Sequence, residues 1–114
     1  MNKTWRILND SIQLKQIQNE SNYKKQVLFK HSTNCGVSFL ALERLESNWD
    51  FTAEDFDFYY LDLLKYRAIS NEIAAKWNIR HQSPQIIVIE KEKAIVDFSH
   101  HIISAEYLKK KLVP

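Results

Sequence analysis

A single cysteine, Cys35, is the residue of this sequence best suited to covalent chemistry. It is followed directly by Gly36, the only glycine among the 114 residues. One cysteine excludes an internal disulfide, a two-cysteine redox centre and a multi-cysteine metal site within one chain. Thiol chemistry by this chain would therefore use one sulfur and take the second sulfur from another molecule.

The segments on either side of Cys35 predict that it lies at the start of a helix. The apolar run 26–31 is typical of a buried strand, and Ser32-Thr33-Asn34 is typical of a polar turn. Apolar residues then recur at steps of three and four, which predicts one helix face formed by Phe39, Leu42, Leu45 and Trp49. The free N–H groups and the dipole at a helix N-terminus favour an anion, so we expect the cysteine to be stabilised as a thiolate.

Five neighbours are predicted to form the environment of the thiolate. Asn34 precedes the cysteine, and Gly36 leaves the sulfur open to close approach. The hydroxyl of Ser38 could point back at the sulfur, and Lys30 and His31 could add positive charge just upstream. The alternative is an inert cysteine, because a lone cysteine is also often a small buried hydrophobic residue.

The segment Ser83-Pro84 is the second notable feature, because a proline opens the strand-like run 85–89. Proline cannot donate a hydrogen bond to a sheet, so it belongs at an edge or in a turn. Pro84 is therefore predicted to begin a strand at the margin of the sheet.

The order of the elements predicts how the cysteine is positioned. Strands at 26–31 and 57–63 are separated by a helix, which implies parallel pairing, whereas strands 85–89 and 94–98 are joined by a short charged connector, which implies an antiparallel pair. Ser104 is predicted to cap a C-terminal helix, with Ile103 and Leu108 as a hydrophobic staple. The sequence therefore predicts a single α/β domain over residues 1–114, with a four-stranded mixed sheet and helices on both faces. The thioredoxin fold has this order.

Composition argues against several classes of partner. A net charge of +2, spread along the chain, is too small to indicate a nucleic-acid partner. No segment approaches the ~20 apolar residues of a membrane span, and the first residues lack a signal-peptide pattern. We therefore expect a cytoplasmic protein, in a reducing compartment where a lone thiol stays free. The four histidines do not form a recognisable ligand pattern, so no metal site is predicted.

Four segments together resemble the monothiol bacilliredoxin family of the bacillithiol system. They are FKHSTNCGVS at 29–38, YLDLLKYR at 60–67 followed by Ile69-Ser70-Asn71, HQSPQ at 81–85, and Ser99-His100. The resemblance extends from about Trp5 to Leu112. It implies a thioredoxin-like fold, a redox-active Cys35, and Pro84 as a cis-proline that faces the cysteine.

The resemblance also implies a reaction and its partners. Cys35 would remove a low-molecular-weight thiol, bacillithiol in this family, from mixed disulfides on client proteins, with the small thiol as co-substrate and no bound cofactor. Ser83 and Pro84 would present backbone groups to the client. Arg67, together with Lys30 and His31, is a candidate for binding carboxylates of the small thiol. We expect the chain to act as a monomer.

Gly36 departs from this family, in which Ser or Pro is expected after the cysteine. The resulting Cys-Gly-Val-Ser resembles the monothiol glutaredoxins, which use glutathione to hold an iron–sulfur cluster between two chains. Their downstream Gly-Gly-Asp element has no counterpart in the corresponding stretch Ser99-His100-His101. Three functions stay open at this point: a thiol–disulfide oxidoreductase, a cluster carrier, and a non-enzymatic thioredoxin-fold adaptor.

Overall fold

A mixed five-stranded sheet forms the centre of the structure, a computed structural model that describes residues 1–113. The strands are β1 (Arg6–Ile7), β2 (Gln26–His31), β3 (Asp57–Asp62), β4 (Gln85–Glu90) and β5 (Lys93–Ser99). The helices are α1 (Ile12–Glu20), α2 (Gly36–Ser47), α3 (Arg67–Lys76) and α4 (Ala105–Leu112), with a short 3-10 turn at His100–Ile102. The strand order is β1-β3-β2-β4-β5.

The pairing of the strands confirms the predicted mixture of directions. Strand β2 is parallel to β3 and antiparallel to β4, and β4 is antiparallel to β5. The prediction of four strands is corrected by β1, which pairs in parallel with β3 through Arg6 and Ile7. Two residues are too few to show the alternation of apolar and polar side chains that identifies a strand in a sequence.

Helices cover both faces of the sheet, as predicted, and each face has its own apolar core. Helices α2 and α4 pack on one face over a cluster that includes Phe29, Phe58 and Trp5. Helices α1 and α3 pack on the other face over a cluster that includes Leu28 and Leu61. Because successive residues of a strand point to opposite faces, β2 contributes to both cores and is buried along its whole length.

Helix α2 buries a different stripe from the one predicted. Its buried residues are Ser38, Ala41 and Leu45, with Leu42 packed beside them, whereas Phe39 is 55% exposed. The predicted face was wrong at Phe39 because the buried stripe of α2 runs through Ser38, Ala41 and Leu45, and the residue after Ser38 is turned by about 100° away from it. Trp49 lies beyond the end of the helix and still packs against the core.

Local signals predicted the ends of the last elements well. The hydroxyl of Ser104 accepts a hydrogen bond from the N–H of Tyr107 at 3.0 Å, and Ile103 and Leu108 are fully buried. Lys91 and Glu92 make the two-residue turn between β4 and β5, both with positive φ. Among residues 1–113, no helix has the length and apolar character required to span a membrane.

Candidate active site at the N-terminus of α2

Cys35 occupies the N-cap position of α2, after the turn that follows β2. Its N–H donates to the carbonyl of Ser32 at 3.2 Å, and its carbonyl accepts from the N–H of Phe39 at 3.0 Å. The side chain is partly exposed and does not cap the helix by a hydrogen bond. The free N–H groups of the first turn therefore lie next to the sulfur-bearing residue, which is the local environment that favours a thiolate.

The turn that carries Cys35 is held in place by Ser38, a buried residue of the first turn of α2. The buried Ser38 hydroxyl accepts a hydrogen bond from the N–H of Ser32 at 2.9 Å and lies 2.7 Å from Nδ1 of His31. The expectation that this hydroxyl points at the sulfur is therefore wrong, because both of its hydrogen bonds tie α2 to the end of β2. Ser38 holds the turn in place and supports the cysteine indirectly.

His31 is buried on the α2 face of the sheet, between aromatic rings. Its ring centroid lies 5.6 Å from that of Phe29 and 5.5 Å from that of Tyr60. Burial lowers the pKa of His31, and the opposing effects of the Asp62 charge and of the Ser38 backbone are smaller. The neutral imidazole is therefore favoured, so His31 is not the cation that we expected beside the sulfur.

Lys30 points to the opposite face of the sheet from α2. Its Nζ donates to the backbone carbonyl of Ser70 and to Nδ1 of His81, each at 3.2 Å. The side chain is completely buried, and this burial lowers the pKa of Lys30 to about 8. The prediction that Lys30 adds charge next to the thiolate is corrected by this position, since its ammonium lies against α3 while Cys35 caps α2.

His81 completes a group of three basic side chains on the α3 face. Besides Lys30, its Nδ1 lies 3.4 Å from the hydroxyl of Ser70. Burial lowers the pKa of His81, and the charges of Lys30 and Arg67 lower it further, which places Arg67 within electrostatic range of the ring. Arg67 is exposed at the first position of α3. His81 was not among the predicted site residues, although its place two residues before Ser83-Pro84 was a usable signal.

The Ser83–Pro84 segment lies at the same edge of the sheet as the end of β2. The peptide bond between the two residues is cis. Lys30 pairs with Gln85 and Gln85 pairs with Ser99, so the ends of three strands meet at this edge, and the N–H of His100 donates to the carbonyl of Pro84 at 3.1 Å. Within residues 1–113, neither the N–H nor the C=O of Ser83 has a hydrogen-bond partner.

Asn34 and Gly36, which flank the cysteine, are both exposed. A Cβ atom added to Gly36 would meet no atom within 4 Å, so packing inside this chain does not require a glycine there. The surface beside Cys35 is therefore open to another molecule. Separately, residues 1–113 hold no group of three or more His, Cys, Asp or Glu side chains arranged to bind a metal.

Comparison with solved structures identifies the fold. A candidate oxidoreductase with a thioredoxin fold is 28% identical, with a TM-score of 0.79 and coverage of 94% of this chain and 92% of that one. Thioredoxin from Malassezia sympodialis is 16% identical, with a TM-score of 0.75 over 97% of this chain and 90% of that one. Thioredoxin from Fasciola hepatica is 20% identical, with a TM-score of 0.67 over 94% and 95%. At these lower identities, the two thioredoxins show the fold alone.

A comparison with protein families extends the identification from fold to chemistry. Residues 6–108 match the model of the monothiol bacilliredoxin BrxC, which covers both Cys35 and the Ser83–Pro84 segment. Its monothiol description agrees with a chain that has one cysteine, placed at the N-terminus of α2. The chain therefore belongs to the monothiol bacilliredoxin family and is a thiol–disulfide oxidoreductase with a thioredoxin-like fold.

Proposed function

We propose that this protein removes a low-molecular-weight thiol from mixed disulfides on client proteins, with Cys35 as the nucleophile. The observation that carries this proposal is the position of the only cysteine at the N-cap of α2, without a second cysteine to resolve a disulfide within the chain. A helix N-terminus stabilises a thiolate both when it attacks and when it leaves.

The reaction needs two exchanges of one disulfide bond each. In the first, the Cys35 thiolate attacks the sulfur of the small thiol, the bond between the small thiol and the client breaks, and the client leaves as a thiolate. In the second, the thiolate of another small-thiol molecule attacks the sulfur already carried on Cys35. That step restores the Cys35 thiolate and releases the symmetric disulfide of the small thiol, so no other oxidant or reductant is required.

Ser83 is the position where a client would dock. Its unpartnered N–H and C=O lie at the sheet edge next to the end of β2, and an extended client segment could add there by backbone hydrogen bonds. The open surface at Gly36 would leave room for the small thiol. The family name supports bacillithiol as that thiol. We propose a reducing cytoplasm as the compartment, because a lone thiol stays free there. We further propose that the chain works as a monomer without a bound cofactor.

The proposal can be tested with a small protein whose single cysteine has been thiolated by bacillithiol, and with a matched sample thiolated by glutathione. After incubation, intact-mass measurement should show that the substrate loses the small thiol and that this chain gains the same mass. The Cys35→Ser variant should gain nothing, and added free small thiol should return the wild-type chain to its original mass. A substrate that stays thiolated, or a client protein that becomes attached to Cys35, would contradict the proposal.

A further inference from the structure

Three basic side chains converge on the α3 face of the sheet, at the edge that carries the active site. We call Lys30, Arg67 and His81 the cationic cluster. Lys30 and His81 are joined directly at 3.2 Å, and the charge of Arg67 acts on the His81 ring. Because the Lys30 ammonium can only donate, Nδ1 of His81 accepts, and Nε2 keeps a proton for another acceptor.

The cluster has one buried member, Lys30, and two exposed members, Arg67 and His81, and it has no counter-ion in the part of the chain that the structure describes. None of its members forms an ion pair with any carboxylate in residues 1–113; the ion pairs are those of Met1–Glu46, Arg6–Asp57, Lys24–Asp57, Lys25–Glu90 and Lys109–Asp50. Lys30 is completely buried, and its two hydrogen bonds go to a neutral carbonyl and a neutral ring. Buried charges in proteins are ordinarily paired, and an anion bound at the exposed Arg67 and His81 would place the compensating negative charge near the Lys30 ammonium.

The position of the cluster connects it with the cysteine. Lys30 is the penultimate residue of β2, and the turn that follows β2 leads directly to Cys35. His81 belongs to the segment that leads into Ser83-Pro84, and Gln85 pairs with Lys30. The cluster and the cysteine therefore flank the same strand end, the cluster on the α3 face and Cys35 at the N-terminus of α2, which packs on the other face.

We propose that the cationic cluster binds a carboxylate of the small thiol while its sulfur is bonded to Cys35. This inference rests on the proposed function and adds the chemical class that the site selects, which is a thiol with a carboxylate some distance from its sulfur. The Arg67 guanidinium would bind the two carboxylate oxygens side by side, and the N-terminus of α3 would favour their negative charge. Lys30 would supply further positive charge, and the Nε2–H of His81 would supply a hydrogen-bond donor.

Glutathione disulfide and its fully esterified form test this proposal, because the two share their sulfur chemistry and differ at the carboxylates. The rate at which each adds its thiol to Cys35 is followed by intact mass and divided by its rate with a short cysteine peptide. For the wild-type chain we expect the normalised rate with glutathione disulfide to be roughly ten times the normalised rate with its ester. Arg67→Gln and Lys30→Met should each bring the ratio close to one, whereas Lys110→Gln, a change at an exposed cation of α4, should keep it.

The outcomes separate this inference from the function on which it rests. If the wild-type chain adds both reagents at the same normalised rate, or if both cluster variants keep the preference, the cationic cluster does not select carboxylates. If neither reagent adds to Cys35 while a bacillithiol-thiolated protein is still turned over, a remote carboxylate is not what the site selects, and the inference fails while the proposed function stands. If none of these substrates forms an adduct, the proposed function itself fails. Arg67 is exposed, so Arg67→Gln tests the cluster independently of any change in the buried core.

Discussion

Replacing Ser38 by alanine should loosen the turn that holds Cys35 and lower the stability of the whole domain. The Ser38 hydroxyl makes two hydrogen bonds, at 2.9 Å to the N–H of Ser32 and at 2.7 Å to Nδ1 of His31, and it is completely buried. A typical hydrogen bond contributes about 0.5–1.5 kcal/mol, and a buried polar group left without a partner costs about 1–3 kcal/mol. Because the alanine leaves two groups unpartnered, we expect the free energy of unfolding to fall by about 2–3 kcal/mol.

Urea unfolding measures this change directly. With the slope usual for a domain of this size, a loss of that magnitude lowers the midpoint by about 1–2 M. Ser47→Ala is the matched control, because Ser47 lies in the same helix but is exposed and bonds only the carbonyl of Glu43 at 2.6 Å. This control should change the unfolding free energy by less than about 0.5 kcal/mol. Hydrogen exchange adds a local measurement, since the Ser32 amide should lose protection in Ser38→Ala and keep it in Ser47→Ala.

If Ser38→Ala unfolds at the same urea concentration as Ser47→Ala and keeps the protection of the Ser32 amide, Ser38 is not the residue that fixes the turn. Loss of stability with an unchanged Ser32 amide would refute only the local part, because the hydroxyl would then act through His31 alone.

Three further changes have expected outcomes that follow from burial and helix geometry. The pKa of Lys30, lowered from 10.5 to about 8, corresponds to about 3 kcal/mol against the buried ammonium. Lys30→Met should therefore unfold at a higher urea concentration than wild type at pH 7. This gain in stability should disappear as the pH rises from about 8 to 10.5, and a gain independent of pH would contradict the prediction. Gly36→Ala should raise the free energy of unfolding by about 0.4–1 kcal/mol, because its Cβ meets no atom, and an unchanged or lower value in urea unfolding would count against it. Ser104→Ala removes the hydrogen bond that caps the N–H of Tyr107, so the free energy of unfolding should fall by about 1 kcal/mol and the melting temperature should fall with it. A melting curve identical to that of the wild type would contradict this prediction.

The position of the cysteine was predictable from the sequence because the signals that determine it are local. A buried strand, a polar turn and a helical pattern occur within about twenty residues, and the structure has β2, Cys35 and α2 in that order. The cap at Ser104 was predictable for the same reason. The environment of Lys30 was not, because its partner His81 lies 51 residues away, and nothing in the residue type indicates that a lysine is completely buried. The opposite faces of Lys30 and His31 do follow from strand geometry, since adjacent strand residues alternate.

If the small thiol binds the cationic cluster as proposed, that alternation at the end of β2 would also set the length of the molecules that the site accepts. Lys30 faces α3 and the next residue, His31, faces the helix that carries Cys35, so a molecule that reaches both the sulfur and the cationic cluster must pass over the end of the strand. A carboxylate on the same short unit as the thiol, as in free cysteine, would fall short of the cluster. A longer thiol with its acid group several bonds away would span the distance. The strand end would then sort small disulfides by size as well as by charge.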